Sequence, residues 1–153
     1  MMKQIPYGIT DFSRIQKENY YYVDKTMFIE KIEMQPPYLF LIRPRRFGKS
    51  LTLAMLEAYY DVNHAEQFDE LFGQLYIGQH PTKLHNQFLI MRFNFSEVSS
   101  NVNEVERSFK LHCSSKLKDF VYKYEHLFGK EIWNVLDESI QGCLLYTSPS
   151  PRD

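Results

Sequence analysis

Gly48-Lys49-Ser50 stands between two apolar runs, Tyr38–Ile42 before it and Leu51–Leu56 after it. A glycine, a lysine and a hydroxyl in that order, between a strand-like stretch and a helix-like one, form the end of a phosphate-binding loop of the Walker A type. Gly48 lets the backbone approach a phosphate with no Cβ in the way. The N–H groups of roughly Arg46 to Ser50 would point into one concavity at a helix N-terminus, where the dipole favours an anion. Lys49 would bridge the β- and γ-phosphates of a nucleotide, and Ser50 would ligate Mg2+ through its hydroxyl. The pattern asks for a first glycine at position 43, where Arg43 stands, so one residue at ease with positive φ is missing. The competing reading is a basic surface turn that contains the tripeptide by chance. The flanking apolar runs favour the phosphate loop.

Periodicity says which elements must position this loop. Tyr38–Ile42 reads as a buried strand, and Lys49–Asp61 as a helix with Leu51, Met55, Leu56 and Tyr59 facing inward. Gln87–Phe95 is nearly continuous in apolar character, which suits a second strand buried on both faces of a parallel sheet. The polar loop Ser96–Ser100 closes it at the edge where α/β proteins place ligand chemistry. Asn101 with Glu104 resembles a capping box and opens a helix to about Tyr124, followed by an amphipathic helix Glu131–Ile140. Upstream, Asp11 or Ser13 caps a short helix that turns Phe12 and Ile15 inward. Asn19–Val23, aromatic and β-branched, reads as a short strand or an extended segment. Asp24 is a plausible N-cap for a helix with Met27, Phe28 and Ile32 on one face. Ala65–Phe72 reads as a short acidic helix, and Leu75–Ile77 as a compact loop between Gly73 and Gly78. The expected fold is α/β, a P-loop NTPase-like parallel sheet flanked by helices and incomplete at its C-terminal side, spanning residues 1–142.

At 153 residues the chain is long enough for one domain with a sizeable core. A net charge of −1 supplies no global field to recruit nucleic acid, so any such contact has to be local. Cys113 and Cys143 carry no disulfide framework, and no apolar run approaches the ~20 residues that span a bilayer. A cytoplasmic, reducing location is the default expectation. His64, His80 and His85 are too scattered to suggest a metal site.

Arg43-Pro44-Arg45-Arg46-Phe47-Gly48-Lys49-Ser50-Leu51 resembles the P-loop of the AAA-ATPase-like family of bacterial proteins, in which R-P-R-R-F-G-K-[ST] replaces the standard motif. Further pieces agree in order: Ile5–Phe12, Tyr21–Thr26, Leu71–Gly78 and Phe93–Ser96. The resemblance implies ATP and Mg2+ as ligands, with Arg45, Arg46, Phe47, Gly48, Lys49, Ser50 and Leu51 around the phosphates and Ser50 on the metal. It also implies that Asp24 and Lys25 lie beside the base or ribose; the alternative is a capped, solvated helix start. Full-length members carry the acidic Walker B strand after the region corresponding to Gly142. Residues 1–142 are therefore expected to bind phosphate weakly and without useful turnover, and the resemblance implies ATP hydrolysis for the full-length form. Members often carry a restriction-endonuclease-like nuclease domain behind the ATPase domain, which would bring a nucleic-acid partner. Two other readings stand beside this one. ATP could order a non-hydrolysing switch, or Arg43, Arg45 and Arg46 could contact a phosphodiester backbone. The balanced net charge and the adjacent Gly48-Lys49-Ser50 make a nucleotide the better anion.

The last residues, Cys143–Asp153, fit as codons one continuous read through a transposase mosaic end and a sequencing-library adapter. They are expected to be a non-native, disordered tail set apart from the fold, with the rest of the sequence an N-terminal fragment. The competing reading is an ordinary polar, proline-rich tail.

Overall fold

The computed structural model describes residues 3–44, 46–129 and 131–136. The chain divides into two compact units, Met1–Ile90 and Met91–Asp153.

In the first unit, Asp11 caps α1 (Phe12–Lys17). Its carboxylate accepts the N–H of Arg14 at 3.1 Å, satisfying one of the donors that every helix start leaves without an intrahelical acceptor. Phe12 and Ile15 share one face of α1 and are fully buried. Ile29 is the buried residue of α2 (Phe28–Glu33). Met55, Ala58 and Tyr59 form the buried stripe of α3 (Lys49–Tyr60). A 3-10 turn, Val62–Gln67, leads into α4 (Phe68–Phe72) and α5 (Tyr76–Gln79). Phe12, Ile29, Met55, Tyr59, Leu71, Phe72 and Ile77 make one core. Its aromatic centre packs Phe72 between Phe12, 5.0 Å away, and Tyr59, 5.4 Å away and edge-on. The C-terminal half of α3 is thus anchored in apolar packing, while Lys49 and Ser50 at its start are exposed.

The expected parallel sheet is not formed: there is no β-strand among the described residues. Residues 38–42 lack regular structure, and Tyr38, Phe40 and Ile42 are 86%, 88% and 90% exposed rather than buried. Gln87–Phe95 contributes a single parallel bridge among the described residues, Asp61 to Phe88. There the Val62 N–H donates to the Phe88 carbonyl at 3.1 Å and the Phe88 N–H to the Tyr60 carbonyl at 2.9 Å. Apolar continuity marks a segment suited to burial, but a strand exists only where another extended segment sets its N–H and C=O groups alongside. The P-loop NTPase-like sheet expected from these two runs is therefore corrected to a helical architecture.

Smaller differences have local causes. Tyr76–Gln79 is helical, where a compact loop was expected, because the carboxylate of Asp24 accepts the Tyr76 N–H at 2.7 Å and secures the helix start. In the second unit, α6 (Val105–Lys123) begins at Glu104, which makes no side-chain capping bond. Asn101 serves the approach to the helix with both its groups: its side-chain Oδ1 accepts the Asn103 N–H at 3.1 Å and its carbonyl accepts the Val105 N–H at 2.8 Å. Val121 of α6 and Leu136 are buried against Leu117, Phe120, Ile132 and Trp133. Residues 132–136 are helical, within the expected Glu131–Ile140. The rest of that helix and the tail Cys143–Asp153 lie outside the described residues. No helix among the described residues is long and apolar enough to cross a membrane.

Candidate functional site

The loop that precedes α3 is turned by two residues in the left-handed region. Arg46 has φ 67° and Gly48 has φ 71° with ψ 22°. Glycine takes this conformation freely, whereas an arginine adopts it only uncommonly. The Phe47 N–H closes the turn on the Pro44 carbonyl at 3.4 Å. Gly48 is the N-cap of α3, and the first helical bond runs from the Thr52 N–H to the Gly48 carbonyl at 2.8 Å. The amides of Lys49, Ser50 and Leu51 precede that bond, so they are the donors a helix start offers to an anion. The Thr52 hydroxyl donates to the same Gly48 carbonyl at 3.0 Å, which fixes the first turn.

Two cations fold back on this loop. The Lys49 ammonium donates to the Arg43 carbonyl at 3.0 Å, and the Arg43 guanidinium reaches the Phe47 carbonyl at 3.4 Å. Arg43 therefore does more than replace a glycine: its main chain and its side chain both hold the loop closed. Arg46, Gly48, Lys49, Ser50 and Leu51 line one cleft of about 580 Å³, a size typical of small-molecule sites. Arg45, expected in the same set, lies outside the described residues. Phe47 is 65% exposed and contributes its carbonyl to Arg43.

The structure does not bring Asp24 and Lys25 into that cleft, whose described lining excludes both. Asp24 Oδ1 accepts from the Thr26 N–H at 2.8 Å and the Thr26 hydroxyl at 2.7 Å, while Oδ2 takes the Tyr76 N–H. The fully buried Thr26 hydroxyl in turn accepts the Ile77 N–H at 3.1 Å. This cluster joins the start of α2 to the start of α5. Lys25 is exposed, and its carbonyl accepts the Phe28 N–H at 3.1 Å.

One part of the cleft was not read as a site from the sequence: Ile5–Thr10 lines it together with the loop. The available signal was a stretch rich in apolar and aromatic residues, broken by Pro6 and Gly8, in a segment with no helical or strand period.

A glycine-capped helix start with a lysine and a hydroxyl in its first turn carries the donors that anion-binding loops use. Sequence comparison places the chain more closely: residues 6–149 match the family described as Predicted AAA-ATPase, and the chain belongs to that family. A protein of Azotobacter chroococcum mcd 1 described as "Uncharacterized protein in vnfD 5'region" is 51% identical over 55 residues, which are 35% of this chain and 11% of that protein. The matched stretch is thus a small part of a much longer relative. No solved structure matches the chain.

Proposed function

We propose that the loop Arg46–Leu51 binds the terminal phosphates of ATP together with Mg2+, and that the longer protein hydrolyses the nucleotide. The observation that carries this reading is the αL conformation of Gly48 at the head of α3, which frees the following amides beside Lys49 and Ser50 in one cleft. Family membership agrees with ATP binding. Lys49 would exchange the Arg43 carbonyl for phosphate oxygens. Ser50 would supply a hydroxyl to Mg2+. No carboxylate lines the cleft among the described residues, so the donor set suits a cation that arrives on the phosphates and keeps most of its water, as Mg2+ does. Mg2+ would neutralise phosphate charge; the chain's own groups orient the phosphates.

Contact with a nucleic-acid backbone through Arg43, Arg45 and Arg46 is less well supported. The Arg43 guanidinium is turned to the Phe47 carbonyl, and Arg46 lines the same cleft as Lys49. Titration of a fluorescent ATP analogue with and without Mg2+, followed by competition with DNA, tests the proposal. Mg2+-dependent binding that is lost in Lys49→Ala and resists DNA is the expected result. Binding that is indifferent to Mg2+ and displaced by DNA would overturn it.

A further inference from the structure

The phosphate loop accounts for only part of its cleft; Ile5–Thr10 lines the remainder. That segment is held at both ends. The Gln4 carbonyl accepts the Tyr21 N–H at 2.8 Å, and Asp11 beyond it is fixed as the cap of α1. Gly8, at φ 72°, turns the chain between these anchors. The segment is secured, yet its large side chains do not serve the core: Ile5 is 80% exposed and Tyr7 95% exposed. Apolar and aromatic surface is the usual lining for the flat part of a ligand, with a few polar groups fixing the charged end, and the Tyr7 ring stands at the open edge of the cleft with its faces free. Here the charged end is already provided by Lys49 and the first-turn amides.

We infer that Ile5–Thr10 is the base-binding wall of this nucleotide site, with Tyr7 stacking on the base. The inference rests on the proposed function, because it presumes a triphosphate at Lys49. It carries a consequence for specificity. Beyond the hydroxyls of Tyr7 and Thr10, the wall's side chains are apolar, with no carboxylate or amide group to read a base edge. Stacking is tolerant of base identity because every base has a π-face. A site that relies on apolar contact discriminates weakly, whereas one built to hydrogen-bond its substrate discriminates strongly. ATP and GTP are therefore expected to bind within about tenfold of each other.

The test compares ATP, GTP and inorganic tripolyphosphate, each with Mg2+, on the intact chain and on Tyr7→Ala and Tyr7→Phe. Tyr7→Ala should weaken both nucleotides by roughly tenfold, the scale of one base–aromatic stack, and leave tripolyphosphate unchanged. Tyr7→Phe should retain nucleotide affinity. If Tyr7→Ala weakens tripolyphosphate as much as ATP, or weakens neither, the wall is not there. A hundredfold preference between ATP and GTP would equally overturn recognition by the base's face. If tripolyphosphate fails to compete with ATP and Lys49→Ala leaves ATP binding intact, the phosphate seat itself is wrong and this inference falls with it.

Discussion

The Lys49 ammonium donates to the main-chain carbonyl of Arg43 at 3.0 Å, so the chain is closed across Gly48 by its own lysine. The loop satisfies itself with a weak, exposed bond that a phosphate can replace. An exposed hydrogen bond of this kind contributes on the order of 1 kcal/mol, far less than a multiply charged phosphate gains from a lysine and several amides. Closure also depends on the left-handed turn at Gly48.

Gly48→Ala tests that turn directly. A Cβ added at Gly48 meets nothing within 4 Å, so the cost to folding is conformational, about 1–2 kcal/mol for holding an alanine in the left-handed region. On the proposed reading the new methyl group would also stand where the anion approaches, so phosphate binding should weaken as well. Urea unfolding should show the modest loss of stability, and Mg2+–ATP titration a loss of affinity of about tenfold or more. Unchanged affinity with reduced stability would mean the phosphate does not sit on this turn.

Asp24 and Thr26 lead to a different expectation. Thr26→Val removes the hydroxyl that links the Asp24 carboxylate to the Ile77 N–H, and leaves that N–H without its acceptor in a buried setting. A stability loss of about 1–3 kcal/mol follows from an unmade buried hydrogen bond. Asp24→Asn should destabilise in the same direction, because an amide nitrogen would face donors. Neither change should move ATP affinity by more than about twofold, given that both residues serve to join α2 to α5. Chemical denaturation and ATP titration on the same preparations separate the two roles. Loss of nucleotide affinity at unchanged stability would return Asp24 to the site.

These residues also show what was legible in the sequence. The start of α3 at Lys49 and the cap of α1 at Asp11 are local: a glycine or a carboxylate acts on amides within one turn, and the spacing is visible. Asp24 is different, because its partner Tyr76 is distant in sequence. Nothing around Leu75–Ile77 announces that a carboxylate will arrive to start a helix there, so a loop was the natural reading. Tyr38–Ile42 and Gln87–Phe95 fail for the same reason. Their composition favours extended backbone, but a sheet depends on which other segment lies beside them, and here Phe88 pairs only with the chain at Asp61 among the described residues. The base wall was missed because exposure, not composition, singles out Ile5 and Tyr7.

Gly78 supports the packing of α5 on α4. A Cβ at this position would be built into the backbone carbonyl of Phe72, which is part of the core and has no free space to retreat into. Gly78→Ala should therefore cost more than about 3 kcal/mol, the range associated with overpacking against backbone. The check is a thermal or urea transition. A cooperative transition at the parent midpoint would show that α4 and α5 can separate without loss.

Alkaline stability should report on Tyr22. Its ring packs edge-on against Phe12 at 5.4 Å, and burial, reinforced by the nearby Asp24 carboxylate, pushes its phenol up to about 12. Tyr60 is raised in the same direction by burial and by its hydrogen bond to Glu33. In the unfolded chain a tyrosine releases its proton near pH 10. Below pH 10 both states hold the proton and this contribution to stability is fully present. Between pH 10 and about 12 the unfolded state has lost its proton while folded Tyr22 keeps it, so stability falls with rising pH. The loss attributable to Tyr22 is on the order of 2 kcal/mol across that window. Urea midpoints measured from pH 9 to 12 should fall steeply in the parent chain and less steeply in Tyr22→Phe, which has no phenol to ionise. Parallel profiles for the two chains would mean that the Tyr22 hydroxyl reaches water in the folded state.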